Sequence, residues 1–438
     1  MPTRPAVPAG RDLTLDLVRV VCVLLVVVVH LLLAGVRLGD GGLELEKTLE
    51  LQRWFNPVSF VFQVMPAFFV VGGFAAMTGW DSLAKRVPGA AFADRASAFV
   101  RVRLARLARP SLAVLAFFVA VLWAAPLLGA PADLVAGVAS GVGSPLWFLA
   151  AYMIAQAAAP WLIRAHRARP VLAIVALAGA AVLFDALRYS TGIDLLALPN
   201  VAFVWLAAHQ LGFWFKDGWF DRRRPMTLVG IVAFAYVVCI AMVWAGPYSW
   251  NMLENQFPPT APLVLFALAQ AALLRLARPL LSAIMRRPAA QAAVFLAGSR
   301  LMTIYLWHLP VIMALIGLQL LAPHWLSEPG SGRWWLERIP FYLVVLAAVW
   351  VLSLALVRLE AAPAGIGAPR IPGLLPALSA AAAFVVGPSM IMVQGLSLTN
   401  GTVALVGCIL ALALISGRAP AEHRRRRPRG AARAPETA

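Results

Sequence analysis

The chain has 438 residues, 62% hydrophobic and only 13% charged, with a mean hydropathy of +0.83. Soluble domains run near half apolar and a quarter charged, so these values exclude a soluble globular protein and indicate the membrane class. A net charge of +18 with a pI near 11.3 would also suit a nucleic-acid binder, and only the distribution of the charge decides between the two.

Taken in chain order, apolar runs long enough to cross a bilayer as helices fall near 13–34, 58–79, 111–130, 145–163, 171–187, 198–215, 226–246, 260–274, 292–318, 339–357, 374–394 and 401–416. The runs are continuous and do not alternate with period two, which favours helices over a β-barrel. The first is expected to be an uncleaved span, because it is longer than a signal-peptide core and lacks a small-residue cleavage site. With the N-terminus inside, 29 Lys and Arg fall in inner segments and six in outer loops. That asymmetry is a positive-inside signal, and it puts both termini in the cytoplasm. The tail RRRRPRG then reads as a disordered juxtamembrane segment facing anionic lipid, and no nucleic acid is needed to explain the charge. The inner connection Trp80–Pro110 and the outer one Gly35–Pro57 are the largest loops. Neither holds a soluble domain, so activity belongs to the bundle or its two mouths. Cys22, Cys239 and Cys408 lie in apolar runs without a CxxC; they read as buried hydrophobes, and no metal site is expected.

Ionisable groups within spans are costly, by ~2.5–3.5 kcal/mol on insertion scales, and each is a functional candidate. In DLVRVVCVLLVVVVH, Asp16, Arg19 and His30 share one helix face, with His30 ~16 Å beyond Arg19 in the outer half of the membrane. An Asp16–Arg19 ion pair at the inner headgroups and a helix–helix hydrogen bond from His30 are the structural alternatives. In GSRLMTIYLWHLPVIM, Arg300 lies in the inner third of the ninth span, with His308 further out and Tyr305 on the same side as His308. His30 and His308 come at similar depth on co-directional helices. In RVRLARLARPSL, Arg103, Arg106 and Arg109 recur every third residue. On a helix they form a cationic stripe suited to phosphates, although taken alone they are explained better by ordinary inner-loop charge. Gly72 and Gly73 of FFVVGGF suit close helix packing, and Trp147 of SPLWFLAAYM suits an interfacial anchor.

These patterns together resemble the integral-membrane acyltransferase 3 family. Its first span reads like L-D-x-L-R-x10-H, matched by Leu15, Asp16, Arg19 and His30, with Val18 for the second leucine and Val20 where glycine is common. Phe68, Phe69, Gly72, Gly73 and Phe74 match its F-F-x-x-[SG]-G-F, and Arg103, Arg106 and Leu107 its R-x-x-R-L. Leu146–Leu149 match L-W-F-L, and Ser299, Ile304, Tyr305, Leu306, His308, Pro310 and Val311 match the late S-x-x-x-x-I-Y-L-x-H-x-P-V. The resemblance implies an all-α polytopic bundle with a ten-helix acyltransferase domain over 13–358; beside the cytoplasmic segment 1–12, an additional transmembrane hairpin 359–416 and a basic tail 417–438 lie outside that usual core. It implies transfer of an acyl group, acetyl above all, from cytoplasmic acyl-CoA to a hydroxyl of an extracytoplasmic glycan or glycolipid. Acyl-CoA is then a donor substrate, with no permanently bound cofactor. His30 is expected as general base or transient acyl carrier, with Arg19, Asp16 and His308 assisting. Arg103, Arg106, Arg300, Tyr305 and Trp147 are expected to contact substrates. A multi-pass protein of a bacterial plasma membrane is the expected setting. A transporter or flippase of a lipid-linked or small polar substrate suits the same span count, but the halves show no internal repeat.

Overall fold

The structure, a computed structural model, describes residues 12–39, 42–322, 326–360 and 373–416. Twelve of its helical segments are long and apolar enough to cross a membrane, as the hydropathy runs predict, and the fold is that of an all-α polytopic membrane protein. The helices are α1 (Leu13–Leu33), α2 (Phe55–Phe62), α3 (Met65–Arg86), α4 (Phe92–Leu127) and α5 (Ala132–Gly143). There follow α6 (Trp147–Ala168), α7 (Pro170–Thr191), α8 (Asn200–Lys216), α9 (Pro225–Ala245) and α10 (Pro262–Met285). The remainder are α11 (Pro288–Gly298), α12 (Leu301–Gln319), α13 (Gly332–Glu360), α14 (Leu374–Gln394) and α15 (Leu398–Ser416). The short segments α2 and α5 join α3 and α6 in forming single spans. The basic tail and the N-terminal residues before Asp12 lie outside the described residues.

Local chemistry sets the element boundaries. Asp12 caps α1 by accepting from the Thr14 and Leu15 backbone N–H groups, and Asp16 follows in the first turn, where a carboxylate complements the helix dipole. Proline opens α7, α9, α10 and α11, where a missing N–H costs nothing.

Three expectations about connections are corrected. The inner stretch Trp80–Pro110 is helix almost throughout, with only residues 87–91 between α3 and α4. Nothing in AFVRVRLARLAR breaks a helix, so α4 runs 36 residues, or ~54 Å, well beyond a membrane's thickness. The outer stretch after α1 is ordered as an antiparallel β-hairpin, β1 (Ala34–Gly39) and β2 (Gly42–Lys47), with Ala34 paired to Lys47. Its period-two alternation, LELEK, is the signal for a strand.

The ninth apolar run, taken as one span over 292–318, is broken at Ser299–Arg300 into α11 and α12. Gly298 and Ser299 are weak helix formers, and the orphaned N–H of Thr303 at the new helix start donates to the Glu360 carboxylate at 2.6 Å. Arg300 is therefore not inside a span. Its guanidinium donates to the Ser353 carbonyl at 2.7 Å and lies over the Trp350 ring.

The core is aromatic and glycine-cut. Phe69 stacks on Trp205 with ring centroids 4.5 Å apart, and Phe68 meets Phe148 edge-on. Gly73 of α3 faces the His209 carbonyl, and Gly212 of α8 faces the Val70 carbonyl, too closely for any side chain. These two helices thus pack backbone to backbone at the centre of the bundle.

Candidate active site

A cavity of about 820 Å³ opens among the segments that the charge asymmetry assigns to the outer side, and it reaches His30. Its walls come from the outer end of α1, β1 and β2, the α2–α3 junction, α5, the Ser144–Trp147 turn, the 246–261 loop, α12 and the end of α14. Residues far apart in sequence converge here because every odd-numbered span ends, and every even-numbered span begins, at this face.

His30 and His308 meet in this region, with ring centroids 4.9 Å apart and His30 Nδ1 3.2 Å from His308 Nε2. Their partners define the tautomers. His308 Nδ1 lies 2.6 Å from the Tyr305 carbonyl, which only accepts, so this nitrogen carries the proton and Nε2 offers its lone pair. His30 Nδ1 lies 2.9 Å from the Val26 carbonyl, so it too carries a proton, which it shares between Val26 and His308 Nε2. In the neutral imidazole that arrangement leaves the His30 Nε2 lone pair open, without a hydrogen-bond partner among the described residues. His30 lines the cavity; His308 is fully buried behind it and does not. The pair is thus a half-buried imidazole with a free lone pair, held in orientation by a buried one.

Tyr305 and Trp147 border the same cavity. The Tyr305 hydroxyl donates to the Pro145 carbonyl at 2.7 Å, tying α12 to the turn that starts α6. Trp147 is 3% exposed, held against Trp205 and edge-on to Phe257. Around the opening stand Glu46, Glu50 and Glu254, with Lys47 as the basic member, and Lys47 is bonded to Glu50 at 3.2 Å. The outer mouth therefore has an excess of negative charge. Gln63 fixes the 246–261 loop through a bond to the Met252 carbonyl at 3.0 Å. Buried Asp185 holds the loop's other end by accepting from the Ala261 N–H at 2.7 Å, from Tyr248 and from Asn200.

The arginines occupy the opposite end. Arg103 is half-buried, lies over the Phe99 ring and donates to the Ala75 carbonyl at 2.8 Å, while Arg106 is exposed. Arg103 feels the positive charges of both Arg106 and Arg19, so the three form one electropositive group at the inner mouth. The Arg19 guanidinium sits 6.0 Å from the Phe68 ring centre. Asp16 belongs to the inner end of α1, far from the cavity. Of the nine candidates named from sequence, His30, His308, Tyr305 and Trp147 gather at the outer site. Arg19, Arg103 and Arg106 gather at the inner mouth, and Arg300 joins neither.

A second buried polar layer escapes the sequence reading. On α6 and α8, Gln156 lies 3.2 Å from His209 Nε2, and His166 bridges Gln210 at 2.9 Å and Asp217 at 3.0 Å. The cost argument that singles out His30 applies equally to His209, which is fully buried in the sixth span. Gln63, Asn251 and Asn255 carry no motif; Gln63 becomes visible only through its long-range bond to the Met252 carbonyl, and the two asparagines only through bonds within their own loop.

The fold and site define a polytopic membrane protein with a histidine pair beneath an outward cavity and a cationic group on the other side. A family model described as an acyltransferase domain, Acyl_transf_3, matches residues 12–358, and the chain belongs to this acyltransferase 3 family. It is thus a membrane acyltransferase. No curated protein and no solved structure matches the chain.

Proposed function

We propose that this protein transfers an acyl group, acetyl in the first instance, from acyl-CoA at the cytoplasmic mouth to a hydroxyl of a glycan or glycolipid that enters the outer cavity, in a bacterial plasma membrane. The observation that carries the reading is the lone pair of His30 Nε2 at the cavity, with Nδ1–H committed to Val26 and His308. As the acceptor oxygen attacks the thioester carbonyl, Nε2 takes its proton; the new C–O bond forms, the C–S bond breaks, and the proton passes to the departing CoA sulfur. His308 helps hold the imidazolium in position without touching substrate. The Arg19, Arg103 and Arg106 group supports binding of the donor's phosphates, since clustered like charges favour an anion among them. The cavity volume suits a small oligosaccharide, with Trp147 buried in its wall as part of the packing that shapes it.

The same lone pair also supports a two-step route. Nε2 attacks the thioester, CoA thiolate leaves, and the acyl-imidazole is then cleaved by the hydroxyl. Proteoliposomes loaded with radiolabelled acetyl-CoA test both routes. Label should reach an external acceptor with wild-type protein and not with His30→Ala, and acid-quenched protein should yield a labelled His30 peptide only if the two-step route operates. Wild-type transfer by His30→Ala would remove the assignment. Equal uptake of unmodified substrate by both proteins would instead favour a transporter.

A further inference from the structure

The family match ends at Arg358, but the wall of the outer cavity does not. The last turn of α14, from Ile391 to Gln394, and Gly395 after it border the same cavity as His30. We infer that the hairpin α14–α15 is an acceptor-specificity wall, and that Gln394 is a specificity-determining side chain that hydrogen-bonds a hydroxyl of the acceptor. This rests on the acyltransferase reading above.

Three features make the wall a built part of the site. The two helices of the hairpin are locked to each other, because Gly387 faces the Ala404 backbone and Gly407 faces the Ala383 carbonyl with no room for a Cβ. The pair is then bolted to α4, the helix of the cationic group. Arg101 donates to the Ile415 carbonyl at 2.7 Å, and Cys408 Sγ lies 3.2 Å from the Ala108 carbonyl. Finally, the outer turn of the hairpin is registered on the site itself. Leu396 fills the space over Gly143, next to the Ser144–Trp147 edge of the cavity. Gly395 takes φ +79° at the end of α14, and its carbonyl accepts from Asn400 at 2.9 Å, which fixes the turn.

The chemistry of that wall is selective. Ile391, Met392 and Val393 are apolar, so Gln394 supplies its polar side chain. Gln394 is exposed, and its amide makes no hydrogen bond among the described residues. An uncharged amide offers donors and an acceptor together, which matches a sugar hydroxyl and gives no advantage to a carboxylate or phosphate. Met392 beside it is a flexible thioether that shapes the remaining space.

The test uses membranes of source cells deleted for the gene and complemented with wild type, Gln394→Leu or Met392→Trp, supplied with radiolabelled acetyl-CoA. Gln394 is exposed and takes no part in the glycine contacts between α14 and α15, so the thermal stability of Gln394→Leu in detergent should match wild type. Label reaching the envelope glycan or glycolipid fraction should fall about three- to tenfold with Gln394→Leu, as for loss of one neutral hydrogen bond, and further with Met392→Trp. Half-saturation by acetyl-CoA should stay unchanged. Wild-type transfer by both variants, or a change confined to donor half-saturation, would overturn the hairpin's role and leave the acyltransferase reading intact. Wild-type membranes that neither transfer label nor release CoA would overturn that reading instead.

Discussion

The outer mouth of the bundle combines carboxylates, amides and aromatic faces around a lone pair, whereas the inner mouth is dominated by guanidinium groups. Outside, Glu46, Glu50 and Glu254 outnumber Lys47, and Lys47 is already paired. Inside, Arg278 bonds both Asp12 and Asp221, and Arg167 bonds Asp81, yet Arg106 remains exposed beside Arg103. The contrast exceeds what membrane orientation alone requires. Positive-inside bias accounts for basic inner loops but not for the three carboxylates that line the outer cavity. One face is suited to a polyanion and the other to a neutral, hydroxyl-rich molecule.

The contrast can be broken most sharply at His30. His30→Ala is predicted to lower acyl transfer by about 10²–10⁴ while the protein still inserts and keeps its thermal midpoint, measured by label transfer beside a detergent melting curve. His308→Ala should act more weakly, lowering kcat by about tenfold or more with both half-saturation constants little changed, because it orients His30 rather than contacting substrate. A rise in either constant instead would give His308 a binding role. At the inner mouth, Arg106→Ala should raise the acetyl-CoA KM about tenfold and flatten the salt dependence of donor binding, with acceptor transfer at saturating donor preserved. Isothermal titration with CoA checks this, and an unchanged affinity sinks the phosphate reading. Arg106 is preferable to Arg103 for the purpose, since Arg103→Ala also removes the bond to the Ala75 carbonyl that ties α4 to α3. The smallest effect is expected from Glu254→Gln. This change should improve transfer to anionic sugars relative to neutral ones by a few-fold, through relief of like-charge repulsion. Competition between a neutral and a uronic-acid acceptor measures it.

Hydropathy and charge made the helical membrane fold legible, because in lipid every backbone group must be satisfied within its own segment and the runs announce themselves. The depth match of His30 and His308 was also readable, since helical rise converts sequence distance into height. What could not be read was the lateral arrangement. Nothing in the sequence places Arg300 against Ser353 rather than over the site, and nothing puts Gln394 on the same cavity as His30. Both facts depend on which helix packs beside which, and that is decided by glycine contacts such as Gly73 with His209 and Gly387 with Ala404. The break at Ser299–Arg300 was similarly hidden, because an apolar stretch remains apolar whether or not the helix is continuous.

No spacer separates α1 from β1: the helix ends at Leu33 and the strand starts at Ala34, which itself borders the cavity. The wall that carries Glu46 and Lys47 is hydrogen-bonded to this strand, four residues beyond the imidazole. A ligand pressing on the hairpin would therefore strain the backbone that carries His30, including the Val26 carbonyl that orients its ring. In such a molecule the arrival of the acceptor and the alignment of the base would be a single mechanical event, and an ill-fitting guest would be penalised in rate as well as in affinity.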